Sequence, residues 1–511
     1  MAFFFEEKDR LVLPNWRSFS NTAKMGELNG SHKLLIEKSF SPDISDIVDG
    51  WLENKTIGMA ADLIGVAIIC NKQDDENVKE AASFILSNSI FSSSELIEAA
   101  NAILKVDYNK VKPILDSNNL EAFQERSNMF FVYNKISELK VKLRSNPKNP
   151  ILWVEIARYY SIIGQNKQAE RSILNAYRLS PQNRFILRSM ARFFTHIGKT
   201  DYIHDIIRKS DVTKFDPWIM SAEISLASKR GRYSRFMKSG LNLVSSNNFH
   251  PFNISELNSS LGTIELESSL KKSRHLFKDS LLYPNDNTLA QAEWISHKER
   301  KLFDINPADF NVHNDFEAKA RDSSEHGKWE DSIDYAKLWF LDMPFSRGAI
   351  LFGSEIASNN LENHSEAVSL YKAGLTSHPN DKQMLNNIVY SLCLSNRLDE
   401  ADQYIERYKN QHSGANIHHD ICYTATKGLY HFRKGYHDIG RTLYMEAITK
   451  AADAKEQRLA NIAFVNLIRE EVMSGNEIEE GFKEKVLELK NKSDSLTVQK
   501  IITQIESLTS L

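Results

Sequence analysis

The chain has 511 residues, 41% of them hydrophobic and 26% charged, with a formal net charge of −3 and a pI near 6.6. That length holds about two to four ordinary domains or one extended repeat array, and the balance of apolar and charged residues excludes disorder as the default. Its 12 prolines and 20 glycines are too few for an all-β sandwich, which needs a turn signal at nearly every strand.

The apolar run at Met1–Phe5 meets Glu6, Glu7 and Lys8 at once, too soon for the core of a signal peptide. The longest apolar run, Met59 to Cys70, is interrupted by Asp62 and is shorter than the roughly 20 residues a membrane span needs. Cys70, Cys393 and Cys422 are odd in number and widely spaced, without a CxxC pair, so neither a zinc site nor a disulfide framework is expected. A cytoplasmic chain with no membrane contact is the expectation.

In chain order, residues 1–45 carry Pro14, Trp16 and a Ser-, Asn- and Gly-rich stretch from Ser18 to Ser31, the composition of an extended, partly mobile arm. Residues 46–145 read as helical. Ile64-Gly65 and Ala81-Ala82-Phe84 are spaced like a hairpin out of register with the units beyond residue 150, and the helix over 121–145 is expected to cap the first regular unit.

From Pro150 the pattern is regular: Trp153, Ile156, Ala157, Tyr160, Gly164, Ala169, Ile173, Ala176, Leu179, Pro181. Ala157, Ala169 and Ala176 fit where two helix axes touch, and Trp153, Tyr160 and Ile173 fill the holes between them. Gly164 ends the first helix in the left-handed conformation, and Pro181 stops the second. Leu187, Met190, Ala191, Phe194 and Gly198 repeat the pattern, Gly198 lying 34 residues after Gly164. The second helix of that unit, around Asp201 to Ser210, is short. A poorer hairpin comes next from Asp216, with Trp218, Ala222 and a turn near Gly231.

Leu261-Gly262 with Ser273, Phe277 and Ser280 before Pro284 gives another hairpin, and Phe316, Ala320, Gly327, Ser332, Ala336 and Pro344 a further unit. Leu351, Ala367, Tyr371, Gly374 and Pro379 make the next, then Leu385, Ile388, Leu392, Asn396, Ala401 and Ile405, then Gly428, Gly435, Gly440, Tyr444 and Ala447. Asn396 stands where the others have glycine, which Asn can do because it tolerates the left-handed region. Residues 455–511 end in Lys-, Glu- and Ser-rich turns, the polar terminus a repeat array needs.

These residues resemble the tetratricopeptide-repeat (TPR) family, whose 34-residue unit sets Trp, Leu, Gly, Tyr, Gly, Ala, Phe, Ala and Pro in this order. The resemblance implies an all-α fold, a right-handed α-solenoid of TPR-type helical hairpins. The organisation it implies is an arm at 1–45, a divergent or capping helical region at 46–145, a TPR lobe with a basic groove at 146–240, degenerate helical repeats at 241–310, a second TPR lobe at 311–450 and capping helices at 451–511.

No phosphate loop, dinucleotide fingerprint, HExxH or GxSxG occurs. His418 and His419 are neighbours that diverge by about 100° on a helix and cannot readily share a metal. Cys393 and Cys422 fall inside hairpins and are expected to pack as small hydrophobes. The chain is expected not to be an enzyme: no catalytic residue, no cofactor, no metal.

One stretch departs from the background. Between Asn166 and Gly240, 15 Lys or Arg stand against six acids, a surplus of nine in a chain whose total is −3. The first helix of each unit lines the concave groove in the TPR family, and its groove-facing positions fall here on Arg158, Phe185, Arg188 and Arg192. Arg188 and Arg192 share a helical face. Three guanidiniums beside an aromatic ring suit a carboxylate-bearing peptide or chain terminus, with a solvated basic face as the plain alternative. The Lys/Asn clamp of chaperone-binding TPRs is not reproduced. Nucleic acid is a second acidic partner for this stretch, disfavoured by the overall pI.

The resemblance therefore implies a protein-binding scaffold, adaptor or regulatory subunit. It would serve a separately encoded effector enzyme, an antiphage system being one setting, and homo-oligomerisation stays open. The alternatives are an enzyme with its active domain in the first 145 residues, or an RNA-binding helical repeat.

Overall fold

The computed structural model describes residues 10–19, 44–69, 72–88, parts of 92–104, and 129–508 except 247, 300–301, 410–415 and 494. Among the described residues the fold is all-α, without a strand, and is built of antiparallel helical hairpins stacked in sequence order. The described chain divides into two compact units: an N-terminal unit of residues 8–326 with 338–345, and a C-terminal unit of 327–337 with 346–511.

The N-terminal unit opens with α1 (Ser45–Glu53), α2 (Ile57–Ile69) and α3 (Glu76–Ser87), which close a small core of their own around Trp51, Leu63, Ile64, Ala82 and Ile85. Next comes α4 (Met129–Ser145). Its Val132, Ile136, Leu139 and Leu143 join the main core beside α5 (Pro150–Ile162), the capping contact expected of that helix. Hairpins then succeed one another: α5 with α6 (Asn166–Leu179), α7 (Arg184–His196) with α8 (Thr200–Lys209), α9 (Pro217–Lys229) with α10 (Met237–Ser245), and α11 (Pro251–Glu265) with α12 (Leu270–Ser280). The unit continues through α13 (Asp286–Lys298) and α14 (Phe316–Glu325), and takes in the end of α15 (Trp329–Asp342).

In the C-terminal unit α16 (Arg347–Glu355) runs on into a wide turn at Ile356–Asn360 and pairs with α17 (His364–Ser377). The hairpins α18 (Lys382–Leu394) with α19 (Leu398–Lys409) and α20 (Ile417–Arg433) with α21 (His437–Asp453) come after, then α22 (Gln457–Met473), α23 (Glu480–Lys492) and α24 (Leu496–Leu508).

The local signals explain the hairpins. First helices start at a side-chain cap that accepts from their exposed N–H groups: Asn149, Asn183, Asp216, Asn285, Asp381 and Asn416. Pro150, Pro217 and Pro251 occupy the first turn, where no N–H is missed. The tight turns are left-handed where the sequence places them, with φ of 70° at Gly164, 77° at Gly198 and 57° at Asn396. Glu362 and Lys455 also take positive φ, 53° and 60°, with no glycine or asparagine to announce it. Between α20 and α21, a Cβ on Gly428 would lie 2.8 Å from the Tyr444 ring, so the helices meet there at a distance only glycine allows.

Each first helix is flanked by its own partner and by the first helices of neighbouring hairpins, so α9, α11 and α18 are buried nearly all round. Second helices such as α6, α8 and α19 bury one stripe only. Cys393 and Cys422 lie in this interior, and burial pushes both thiols up to about 12, so they pack as small hydrophobes; Cys70 lies outside the described residues.

Candidate binding groove

The first helices of the N-terminal unit carry a ligand supplied by the chain itself. Residues Arg10–Phe19, the described part of the expected arm, run across α5, α7, α13 and α14 with little structure of their own. Arg10, Val12, Pro14 and Trp16 are buried while Leu11, Leu13, Asn15 and Arg17 are only partly so, the two-residue alternation of an extended peptide. The described part of the expected arm, residues 10–19, is extended and buried; the rest of residues 1–43 lies outside the described residues.

Its main chain is held by side chains. Gln291 Nε2 donates to the Arg10 carbonyl at 2.9 Å, Asn287 Nδ2 to the Leu13 carbonyl at 2.9 Å and Arg158 Nε to the Trp16 carbonyl at 3.4 Å. These carbonyls are three residues apart along the segment. At the far end the Phe19 N–H donates to Glu155 Oε1 at 2.7 Å.

Its two arginines meet carboxylates. Arg10, 5% exposed, makes a fork-to-fork pair with Glu317 at 2.8 Å and 2.8 Å, and also donates to Gln291 Oε1 at 2.7 Å. Burial alone would raise the Glu317 carboxyl, but Arg10 and then Arg321 outweigh it and hold it at about 2. Arg17 donates to Asp342 at 2.7 Å and to Asp286 at 2.7 Å, and Asn15 adds a bond to Asp286 at 2.6 Å. Burial pushes the Asp286 carboxyl up, with Arg17 only partly offsetting it. Between the two cationic ends, the Trp16 ring, 1% exposed, packs among Phe193 and Phe345 at centroid distances of 6.0 Å and 5.3 Å. Its indole N–H is buried without an acceptor.

The residues read from sequence as a groove fall around this segment. Arg158 touches it directly, and Phe185 meets Phe19 edge-on at 5.2 Å. Arg188 stands one step behind: its guanidinium forks onto Glu256 at 2.7 Å and 3.0 Å and lies over the Trp218 ring at 4.9 Å. Glu256 in turn accepts from Asn287, which holds Leu13. Arg192, partly buried one turn further along α7, is engaged within the chain as well.

The charge balance differs from the expectation of a basic groove for an acidic segment. Arg188 is neutralised by Glu256, and the groups that face the bound segment's cations are Glu317, Asp286 and Asp342. Within 166–240 the acids are taken up locally, by Lys199 on Glu170, Arg184 on Asp216, Arg230 on Asp201 and Asp205, and Lys214 on Asp211, pairs already counted in the surplus of nine.

Sequence reasoning missed Glu256, Asp286, Asn287, Gln291 and Glu317. Four of them lie on α11 and α13, in the stretch read as degenerate repeats. A signal was there: Asn287 and Gln291 are four apart on a helix whose neighbours bury it, and α11 strings Asn253, Ser255, Glu256, Asn258, Ser259 and Ser260 through buried positions. Polar residues at core positions of a repeat are what a lined groove requires.

The adjacent histidines part company. His418 Nε2 lies 2.7 Å from Glu456 Oε1, whereas His419 is half-buried and burial lowers its pKa.

No family model matches the chain, and no curated protein does. Among solved structures, the crystal structure of the yeast Tom70 is matched over 76% of this chain and 95% of that one, at 13% identity and a TM-score of 0.29. No described helix is long and apolar enough to cross a membrane.

Proposed function

We propose that this chain is a non-catalytic, TPR-type scaffold or regulatory subunit that holds an extended segment of a partner protein on the first helices of its N-terminal unit. The observation that carries the reading is the mode of holding Arg10–Phe19. Three main-chain carbonyls are gripped by side chains from separate helices, which is how a receptor reads an extended peptide whatever its sequence. The left-handed turns at Gly164 and Gly198, 34 residues apart, and the stacked hairpins support the TPR assignment. Helices alone across the described part of 46–145 give the alternative of an α/β catalytic domain there no support. The overall pI near 6.6 weakens the reading as an RNA binder.

A photo-crosslinking amino acid in place of Phe185, with a control at the exposed Lys167 of α6, tests this in the native cells. A discrete polypeptide captured at 185 and not at 167 is the expected result. Capture of the same species at both positions, or of the chain's own segment alone, would remove the groove from the scaffold reading.

A further inference from the structure

We propose that Arg10–Phe19 is an exchangeable internal ligand, and that the partner segment which replaces it is an extended peptide carrying two arginines seven residues apart on either side of a large apolar side chain. This deepens the scaffold reading and rests on it.

Three observations converge. The segment is held almost wholly by side chains of the helices, since its one internal main-chain bond runs from the Leu13 N–H to the Leu11 carbonyl. It therefore binds as a peptide does and can leave without breaking a hairpin. The recognition is specific in chemistry: the fork on Glu317 and the pair of carboxylates Asp286 and Asp342 accept planar guanidiniums, which lysine would match poorly. Finally, the fit is imperfect. Trp16 buries an indole N–H with no acceptor, and an apolar ring of similar size in a partner would fill the same space without that loss.

Covalent attachment compensates for an imperfect ligand. Because the segment belongs to the same chain its docking is intramolecular, with an effective concentration on the order of millimolar, so the groove stays filled until a better segment competes. The internal segment sets a threshold: ligands weaker than the tethered one do not bind.

The test uses the full chain and a synthetic, fluorescein-labelled peptide of residues 10–19. In an Arg10→Glu/Arg17→Glu chain the reversed charges eject the internal segment, and fluorescence anisotropy should show the peptide binding about 100-fold more tightly than to the wild type, the ratio expected for release of a millimolar tether from a ~10 μM site. Adding Glu317→Arg to that chain should abolish the gain. In parallel, an isotopically heavy, unlabelled peptide at about 1 mM should accelerate hydrogen exchange of residues 10–19 in the wild type roughly fifty-fold, because it holds about half of the chains with the segment undocked.

A folded double variant that does not take up the peptide, or wild-type exchange that the peptide leaves unchanged, overturns the proposal; the second readout decides if the variant fails to fold. A concentration-dependent dimer that the peptide dissolves would assign the segment to a second copy and overturn the partner assignment. Capture of a polypeptide at position 185 without any peptide exchange would strike this proposal and leave the scaffold reading standing.

Discussion

The two units close their stacked first helices in opposite ways. In the N-terminal unit the cover is an extended segment, gripped by carbonyl clamps and three carboxylates. In the C-terminal unit it is a helix: α24 buries Val498, Ile501, Ile502 and Ile505 on α22, and Lys500 reaches the carbonyls of Asn359 and Asn360. Behind it lies a half-open cavity of ≈ 990 Å³ lined by Arg433, Arg458, Arg469, His364 and Tyr390 among others. A helix satisfies its own main chain and can be held by apolar side chains alone. An extended segment cannot, so every buried carbonyl needs a donor from the surface beneath it. That difference explains why Asn287, Gln291 and Arg158 lie under the extended segment, while α24 is seated through Val498, Ile501, Ile502 and Ile505.

The largest effect that would break this comparison is at Glu317. Glu317→Ala leaves the buried Arg10 guanidinium without its carboxylate and should cost about 2–3 kcal/mol of the N-terminal unit's stability, a loss capped by the roughly 100-fold preference for the docked segment, read by urea denaturation. A loss below about 1 kcal/mol would show that Arg10 is not held as described.

The next concerns acid. Burial, and then the positive charges of Arg469 and Arg433, hold the His364 imidazole down at about 4, against an ordinary 6.5. The fold prefers the neutral ring, so this contribution is whole above pH 6.5 and drains away as the pH falls toward 4. The C-terminal unit should lose on the order of 2 kcal/mol across that window, and His364→Gln should remove most of this dependence. Equal acid sensitivity in the variant would show that other groups titrate there.

The smallest effect sharpens what the units share. Lys455 sits at φ 60°, a conformation costly for any side chain, so Lys455→Gly should raise stability by about 0.5 kcal/mol in thermal unfolding. A loss instead would mean that the Lys455 side chain contributes more than its strained backbone costs.

Much of the architecture was legible because hairpin repeats are local. A capping Asn or Asp, a run of residues that can be buried, and a glycine or asparagine at a left-handed turn sit within one 34-residue window, as at Asn149, Ala157 and Gly164. The turns at Glu362 and Lys455 were not legible, since packing around them rather than side-chain preference sets their φ. The groove was half legible. Family register singled out Arg158 and Phe185, which the fold sets against Trp16 and Phe19, but gave no sign of the carboxylates there, and Arg188 is neutralised by Glu256, 68 residues away in sequence.

What the sequence determined by itself, then, is the helical hairpin and its repetition, since both depend on contacts between residues a few turns apart. What only the tertiary structure decided is what covers each stack. The bonds from Arg10 to Gln291 and Glu317 and from Arg17 to Asp342 join residues about 300 positions apart, and no local pattern carries such a pairing. Chain connectivity fixes that the arm exists; only the geometry of α5, α13 and α14 brings a donor to every third carbonyl and a carboxylate to each arginine.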